Sequence, residues 1–195
     1  METKFPSKLN TLGGNMAVLQ LEDGRTYTDI RAIASQLAVL NIEIDSLPTN
    51  KNPAFQELLV QDILNVTEKQ QILAAFNSEF EQFKRVSGYR WCDLKVLHPG
   101  SQQIYALMTQ SDRTHTHTDA EVLHILAGEC VFGFVYSNGS QVQLMLQAEE
   151  YIKVPANTEH WFYLTPSLYL KALQYYTTAQ GWVPQYTNRK LKIKN

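Results

Sequence analysis

A mainly β fold with N-terminal helices is predicted by a change of hydrophobic period at Tyr89, by regularly spaced turn signals beyond it, and by a length that suits one core. From Trp91 onward, Cys92, Leu94 and Val96 alternate with Trp91, Asp93 and Lys95, and the segments that follow are short and rich in β-branched or aromatic residues. Pro99-Gly100, Ser111-Asp112-Arg113, Gly128-Glu129, Asn138-Gly139 and Pro155-Ala156-Asn157 mark turns. Strands of about 5 to 9 residues at that spacing point to a jelly roll or β-barrel. The chain has 195 residues, 44% of them hydrophobic, which is enough for one buried core and excludes a disordered chain or a collagen-like fibre.

The polar first 15 residues, with Gly13-Gly14, are expected to form a disordered extension. Residues 16–195 are expected to form a single domain, helical over about 16–88 and a barrel over about 89–186. Ala17 to Leu21 reads as a strand, Thr28 as the N-cap of an amphipathic helix from Asp29 to about Leu37, and Ile42 to Ile44 as a short strand. Asn52-Pro53 sets a cap before a proline at the first helical position. Thr67-Glu68-Lys69-Gln70 reads as a capping box opening one helix that runs to about Arg85 and ends at Gly88. The second half is expected to be strand throughout, with Asn138-Gly139 as a two-residue type I′ hairpin turn.

Seventeen basic and 19 acidic side chains give a formal net charge of -2, and no run of five like charges occurs. That distribution offers no footprint for nucleic acid or an anionic membrane; Lys190, Lys192 and Lys194 read as a solvated end. No apolar stretch approaches the ~18 residues of a membrane span, and the first 15 residues lack the apolar middle of a secretory signal, so a cytoplasmic protein is expected. Cys92 and Cys130, each among apolar neighbours, read as reduced core residues.

Chemistry concentrates in Thr114-His115-Thr116-His117-Thr118-Asp119-Ala120-Glu121 and in His160, which follows Pro155-Ala156-Asn157-Thr158-Glu159. On a strand, 115, 117 and 121 share one face, and His160 would join them from a neighbouring strand. Three imidazoles and one carboxylate suit Fe(II), Ni(II), Mn(II) or Co(II), and in an octahedral site they leave two positions open. A structural zinc site would instead be closed and rich in cysteine. His98, in a turn before Pro99, and His124, of opposite parity to Glu121, are expected to take no part.

His115-x-His117-x3-Glu121-x6-Gly128 resembles the first cupin motif, and Pro155-x-Asn157-x2-His160 the second, with Asn157 in place of the usual glycine. Asn tolerates the left-handed conformation, so the turn is expected to survive. Thr109 and Glu149 also stand where cupins often carry glycine. Along nearly its whole length from Met16 the chain is similar to the acireductone dioxygenases, through Gly88-Tyr89-Arg90-Trp91-Cys92-Asp93-Leu94, the histidine stretch, Val154 to Phe162, and Gly181-Trp182-Val183-Pro184-Gln185-Tyr186.

The resemblance implies a cupin-type jelly-roll β-barrel with His115, His117, Glu121 and His160 as ligands of one divalent metal, Fe(II) first among the candidates. It implies oxidation of an acireductone, a 1,2-dihydroxy-3-keto compound of methionine salvage, with O2, to a 2-keto acid and formate. A nickel form of the family cleaves differently, releasing carbon monoxide. Small-molecule substrate and O2 are thus the partners expected, with no nucleic acid and no membrane.

Two positions depart from the family. Leu123 and Gln174 stand where it carries arginines that balance an anionic enediolate. Turnover of that substrate is expected to be weak unless another cation approaches, and Arg113, two residues before His115, is the nearest in sequence; Arg90 and Lys171 are less suited. A more apolar pocket would favour a less charged enol or diketone, and a non-catalytic metal-binding cupin is the reading from another class. Trp161, Phe162, Tyr175 and Tyr176 at strand spacing read as barrel core, with Phe162 also a pocket candidate beside Leu123, Gln174 and Arg113.

Overall fold

Side-chain caps start the first three helices, one or two residues away from some of the expected positions. The computed structural model describes residues 17–110, 113–178, 180, 182–187 and 189–193, so the expected N-terminal extension lies outside the described residues. β1 (Val18–Leu21) and β2 (Thr26–Tyr27) form a hairpin. α1 (Ile30–Leu37) begins at Asp29 rather than Thr28, because the Asp29 carboxylate accepts the Ala32 N–H. After β3 (Glu43–Ser46), α2 (Pro53–Val60) starts as expected, with Asn52 accepting the Ala54 N–H.

The capping box lies at Asn65 and Glu68, not at Thr67 and Gln70, and opens α3 (Val66–Ala75). The single helix expected to Arg85 is two, because the chain leaves helical geometry at Phe76, whose ring is buried against Phe55 and His124, before α4 (Asn77–Ser87). Gly88 closes α4 in the left-handed region.

β4 (Trp91–Leu97) is followed by α5 (Gln102–Gln110), so the second half is not all strand. Ile104 and Leu107, three apart, bring one face of α5 onto the core, a helical period inside a region dominated by alternation. Beyond it run β5 (His115–Thr116), β6 (Glu121–Val135), β7 (Gln141–Gln147), β8 (Glu150–Val154), β9 (His160–Leu164), β10 (Leu170–Tyr176) and β11 (Gln185–Tyr186).

Gly128-Glu129 is not a turn. It lies inside β6, whose first half pairs with β8 and β10 and whose second half pairs with β7 and β9. Two antiparallel sheets, β4-β10-β6-β8-β3 and β11-β5-β9-β6-β7-β1-β2, therefore share this one strand. The expected jelly roll is present, with α2, α3 and α4 on the outer face of one sheet, but hydrogen bonding does not close the barrel: β3 and β4 end one sheet, β2 and β11 the other. The Asn138-Gly139 turn differs as well. Only Gly139 has positive φ, and its N–H reaches the Tyr136 carbonyl while Tyr136 N–H reaches Ser140, the pattern of a type I turn with a glycine bulge.

One apolar cluster fills the space between the sheets, with Leu97, Leu123, Ile125, Leu170 and Ala172 facing Phe132, Phe134, Leu144 and Leu146. The other seals the outer face of β4-β10-β6 under the helices, through Phe55, Ile72, Phe76, Leu94, Val122, Leu126, Leu173 and Tyr175. Coverage of both faces explains why β6 is buried at every residue from Glu121 to Leu126 and shows no polar alternation there. His124 belongs to the outer cluster, its Nε2–H donating to the Leu47 carbonyl at 2.9 Å, and His98 caps its own turn through Gly100 N–H, so neither joins the other histidines.

Lys171, pointing away from Gln174, caps α2 by donating to the Leu59 and Gln61 carbonyls. The basic end is not merely solvated: Lys192 N–H donates to Gln141, its ammonium reaches the Gly139 carbonyl, and Ile193 is buried. Lys194 lies outside the described residues. Cys92 and Cys130 are free, and burial pushes the Cys92 thiol up to about 12. Among the described residues no helix is long and apolar enough to cross a membrane.

Gly128 is where β6 passes from one sheet to the other. Its φ is +80°, and a Cβ there would lie 2.1 Å from the Tyr169 carbonyl oxygen. Left-handed strain and overpacking together should make Gly128→Ala cost about 2 to 4 kcal/mol, read as a lowered urea midpoint at unchanged m-value.

Candidate metal centre

His115, His117, Glu121 and His160 converge, though not from one strand. His115 lies on β5, His117 in the loop after it, Glu121 at the start of β6, and His160 at the start of β9, directly opposite His115 in the β5–β9 pair. Residues 115, 117 and 121 are thus brought together not by shared parity on one strand but by a loop, Thr118 to Ala120, that turns the chain between two strands. The turn that delivers His160 keeps its shape because Asn157 takes φ +63° and donates its N–H to the His117 carbonyl at 2.8 Å. Glu149, another position where glycine is usual, also sits at positive φ, +70°.

One ligand atom from each of the four lies within 4.8 Å of the others. Glu121 Oε2 is 2.9 Å from His160 Nε2 and 3.4 Å from His117 Nε2. Two ligands held at ~2.1 Å from one ion at right angles stand about 3 Å apart, so the spacing fits a single coordination sphere. His115 Nδ1–H donates to the Arg113 carbonyl at 3.0 Å and His160 Nδ1–H to the Thr158 carbonyl at 2.8 Å. A carbonyl only accepts, so each neutral ring turns an unprotonated Nε2 inward, as a metal ligand requires. At His160 that nitrogen stands 2.9 Å from a carboxylate oxygen, a contact that a proton or a metal ion bridges. This arrangement fits a divalent metal.

Burial, reinforced by the neighbouring His160 ring, lowers the His115 imidazole to about 4. Burial would raise the Glu121 carboxyl, but contact with His117 and His160 outweighs it and holds the group well below the usual carboxylate range. Burial likewise works against charge on His117, and contact with Glu121 overcomes it, raising that imidazole. The cluster thus keeps an ionised carboxylate ready beside nitrogen donors.

A cavity of about 160 Å³ opens on one side of the cluster. His115, His117 and Glu121 line it together with Leu123, Gln174 and Phe162, and with Leu107 from α5. Trp182, Pro184 and Tyr186 also line it, from a C-terminal strap. Asp119 pins the strap by accepting from Thr177 N–H and Oγ1–H and from Thr178 N–H, Trp182 Nε1–H reaches the Ala120 carbonyl, and β11 pairs with β5. Trp161 and Tyr175 are core, whereas Tyr176 packs on Trp182 and donates to Gln174 Oε1 at 2.8 Å. Gly181 lies outside the described residues.

Arg113 does not line the cavity: its guanidinium lies over the Tyr186 ring, 3.7 Å from the centroid. The cation that does line it is Lys95, on β4. Its place on the polar side of the Trp91 to Leu97 alternation reads in sequence as solvent-facing, and the signal that corrects this is Leu97, of the same parity and fully buried. Asp119 likewise carries no mark in sequence beyond its place between His117 and Glu121.

An open two-sheet jelly roll with three histidines and a glutamate converging beside a small cavity defines a metal-binding cupin. Within that class the chain belongs to the acireductone dioxygenase family, matching the ARD/ARD' family over residues 31–184. The acireductone dioxygenase of Trichodesmium erythraeum (strain IMS101) is 42% identical over 179 residues, covering 92% of this chain and 99% of that protein. That of Microcystis aeruginosa is 45% identical over 178 residues, covering 91% and 97%. A solved structure, acireductone dioxygenase from Bacillus anthracis with cadmium ion in its active center, aligns with a TM-score of 0.79 at 25% identity, over 89% of this chain and all of that one.

Asp119 holds the strap through charge-assisted bonds worth about 1.5 to 3 kcal/mol each at most. Asp119→Ala should lower stability by about 2 to 3 kcal/mol and raise amide hydrogen exchange over residues 182–187 more than in β7. Unchanged exchange there would show that β11 and Trp182 hold the strap without it.

Proposed function

We propose that this protein is an acireductone dioxygenase of the cytoplasm that holds one divalent metal, Fe(II) in its working form, through His115, His117, Glu121 and His160. Its reaction takes a 1,2-dihydroxy-3-keto substrate and O2 to a 2-keto acid and formate, the step known from methionine salvage. The atoms balance: the bond between C1 and C2 breaks, and each carbon gains one oxygen, C2 becoming the carboxyl of the keto acid and C1 becoming formate. The carrying observation is the convergence of the four side chains, three of which line a small cavity, in a chain of this family.

A divalent ion supplies Lewis-acid charge stabilisation and a template for two substrate oxygens. The chain's own residues supply the rest. The Arg113 and Thr158 carbonyls orient the His115 and His160 rings, and Glu121 keeps one negative charge buried among them. Leu107, Leu123, Phe162 and Trp182 exclude water from the space where the substrate would sit. Residues 16–195 act as one cupin domain in this reading.

Metal analysis of the purified protein, followed by Fe(II) loading and O2 uptake with a synthetic acireductone, tests the reading. The expected result is about one metal per chain and equal amounts of O2 consumed and formate released. Metal without turnover would identify a binding cupin, and turnover confined to neutral enols or diketones would identify a diverged dioxygenase, as Leu123 and Gln174 would favour. His117→Ala should lose metal and turnover together while circular dichroism stays unchanged, since the core between the sheets does not involve this ring. An unfolded metal-free protein would contradict that separation of site from scaffold.

A further inference from the structure

Lys95 is the one cationic side chain among the described residues lining the cavity. It is half-buried, and among the described residues its ammonium forms no hydrogen bond and no ion pair. Asp93, two residues away on the same face of β4, directs its carboxylate to the Leu94 N–H at 2.7 Å instead. An ammonium partly withdrawn from water and without a partner is costly, and a fold that keeps one facing a cavity leaves the partner to be brought by a ligand.

The register places this charge with respect to the cluster. Starting from Glu121 on β6, the next inward-facing rung joins Leu123 to Gln174 and Asp93, and the one beyond joins Ile125 to Ala172 and Lys95. Successive inward residues on a strand are about 6.8 Å apart, and an extended lysine side chain spans roughly that distance. Ala172, opposite Lys95, has the smallest side chain of that rung and leaves room for the lysine to lie along the cavity. Burial lowers the ammonium's pKa from the ordinary lysine value, while the charge of Glu121 works to hold the proton on.

Leu123 offers the cavity no charge, and the Gln174 amide oxygen is already taken by Tyr176. We propose that Lys95 is the substrate-binding cation of this protein, taking the negative charge of an enediolate seated beside His115, His117 and Glu121 and so selecting ionised enediols over neutral enols and diketones. The inference rests on the acireductone reading above. It assigns to a strand-β4 side chain the charge that neither β6 nor β10 supplies, and it replaces the weak turnover expected from Leu123 and Gln174 with ordinary binding of the anion.

The test compares the metal-loaded protein with Lys95→Met and Lys95→Arg, titrated anaerobically by calorimetry with a synthetic acireductone and with a neutral α-diketone of the same chain length. Lys95→Met should weaken acireductone binding by about 10- to 100-fold and leave metal content and diketone binding unchanged; Lys95→Arg should recover most of the loss. In turnover, KM should rise more than kcat falls. The ligand-free Lys95→Met protein should melt at or above the temperature of the unmodified one, because an unpartnered cation has been removed; a purely structural lysine would give a lower melting temperature.

Equal acireductone affinity in Lys95→Met and the unmodified protein would overturn the role of Lys95 while leaving the acireductone reading intact. Failure of the unmodified, metal-loaded protein to bind acireductone would overturn that reading and the enediolate as the anion with it.

Discussion

Electron-rich ligand atoms aimed at one point inside an apolar shell repel one another, and most of this structure can be understood as the means of holding them there. Glu121 is at once the first residue of β6 and the acceptor facing two histidines. β6 is anchored along its whole length, to β8 and β10 on one sheet and to β7 and β9 on the other, so the carboxylate cannot retreat without disturbing both. His160 belongs to β9, which pairs with the far half of that same strand, and His115 is fixed opposite it. Convergence is thus a property of two sheets sharing one strand. The apolar clusters on either side make the arrangement rigid.

The electrostatics of the site follow from that rigidity. An uncompensated glutamate at this depth would favour its neutral form, yet the imidazoles beside it reverse the preference. Among the described residues, the cavity next to the cluster then contains one carboxylate and one ammonium, Glu121 and Lys95, separated by the Leu123–Gln174 rung. With a divalent ion, the site as a whole carries two net positive charges, which a doubly ionised enediolate would cancel. Without Lys95, the same complex would hold a net negative charge in a water-poor space.

Much of this was legible in the sequence, unevenly. The candidate ligands announce themselves because metal chemistry limits residue type and spacing, and Asn157 and Glu149 show that a glycine position can be recognised by the conformation it needs even when glycine is absent. The alternation in β4 revealed the strand but not its orientation in the fold: an edge strand with one polar face looks solvated, whereas here that face carries both Leu97 and Lys95 toward the interior. α5 was hidden because a nine-residue helix among strands offers only two core contacts, Ile104 and Leu107. Gly128 resembled a turn because the same left-handed glycine serves a hairpin and a strand that changes sheets. Roles that depend on long-range contact, such as the Asp119 clamp, leave no local pattern at all.

The strap has a consequence for the order in which the molecule is made. Trp182 follows His160 by 22 residues, and among the described residues no earlier one takes its place over the cavity. At ~5 to 20 residues per second a ribosome completes every ligand about one to four seconds before it reaches that tryptophan. Synthesis therefore presents the coordinating side chains first and their cover last, a sequence of events written into the linear order of the polypeptide.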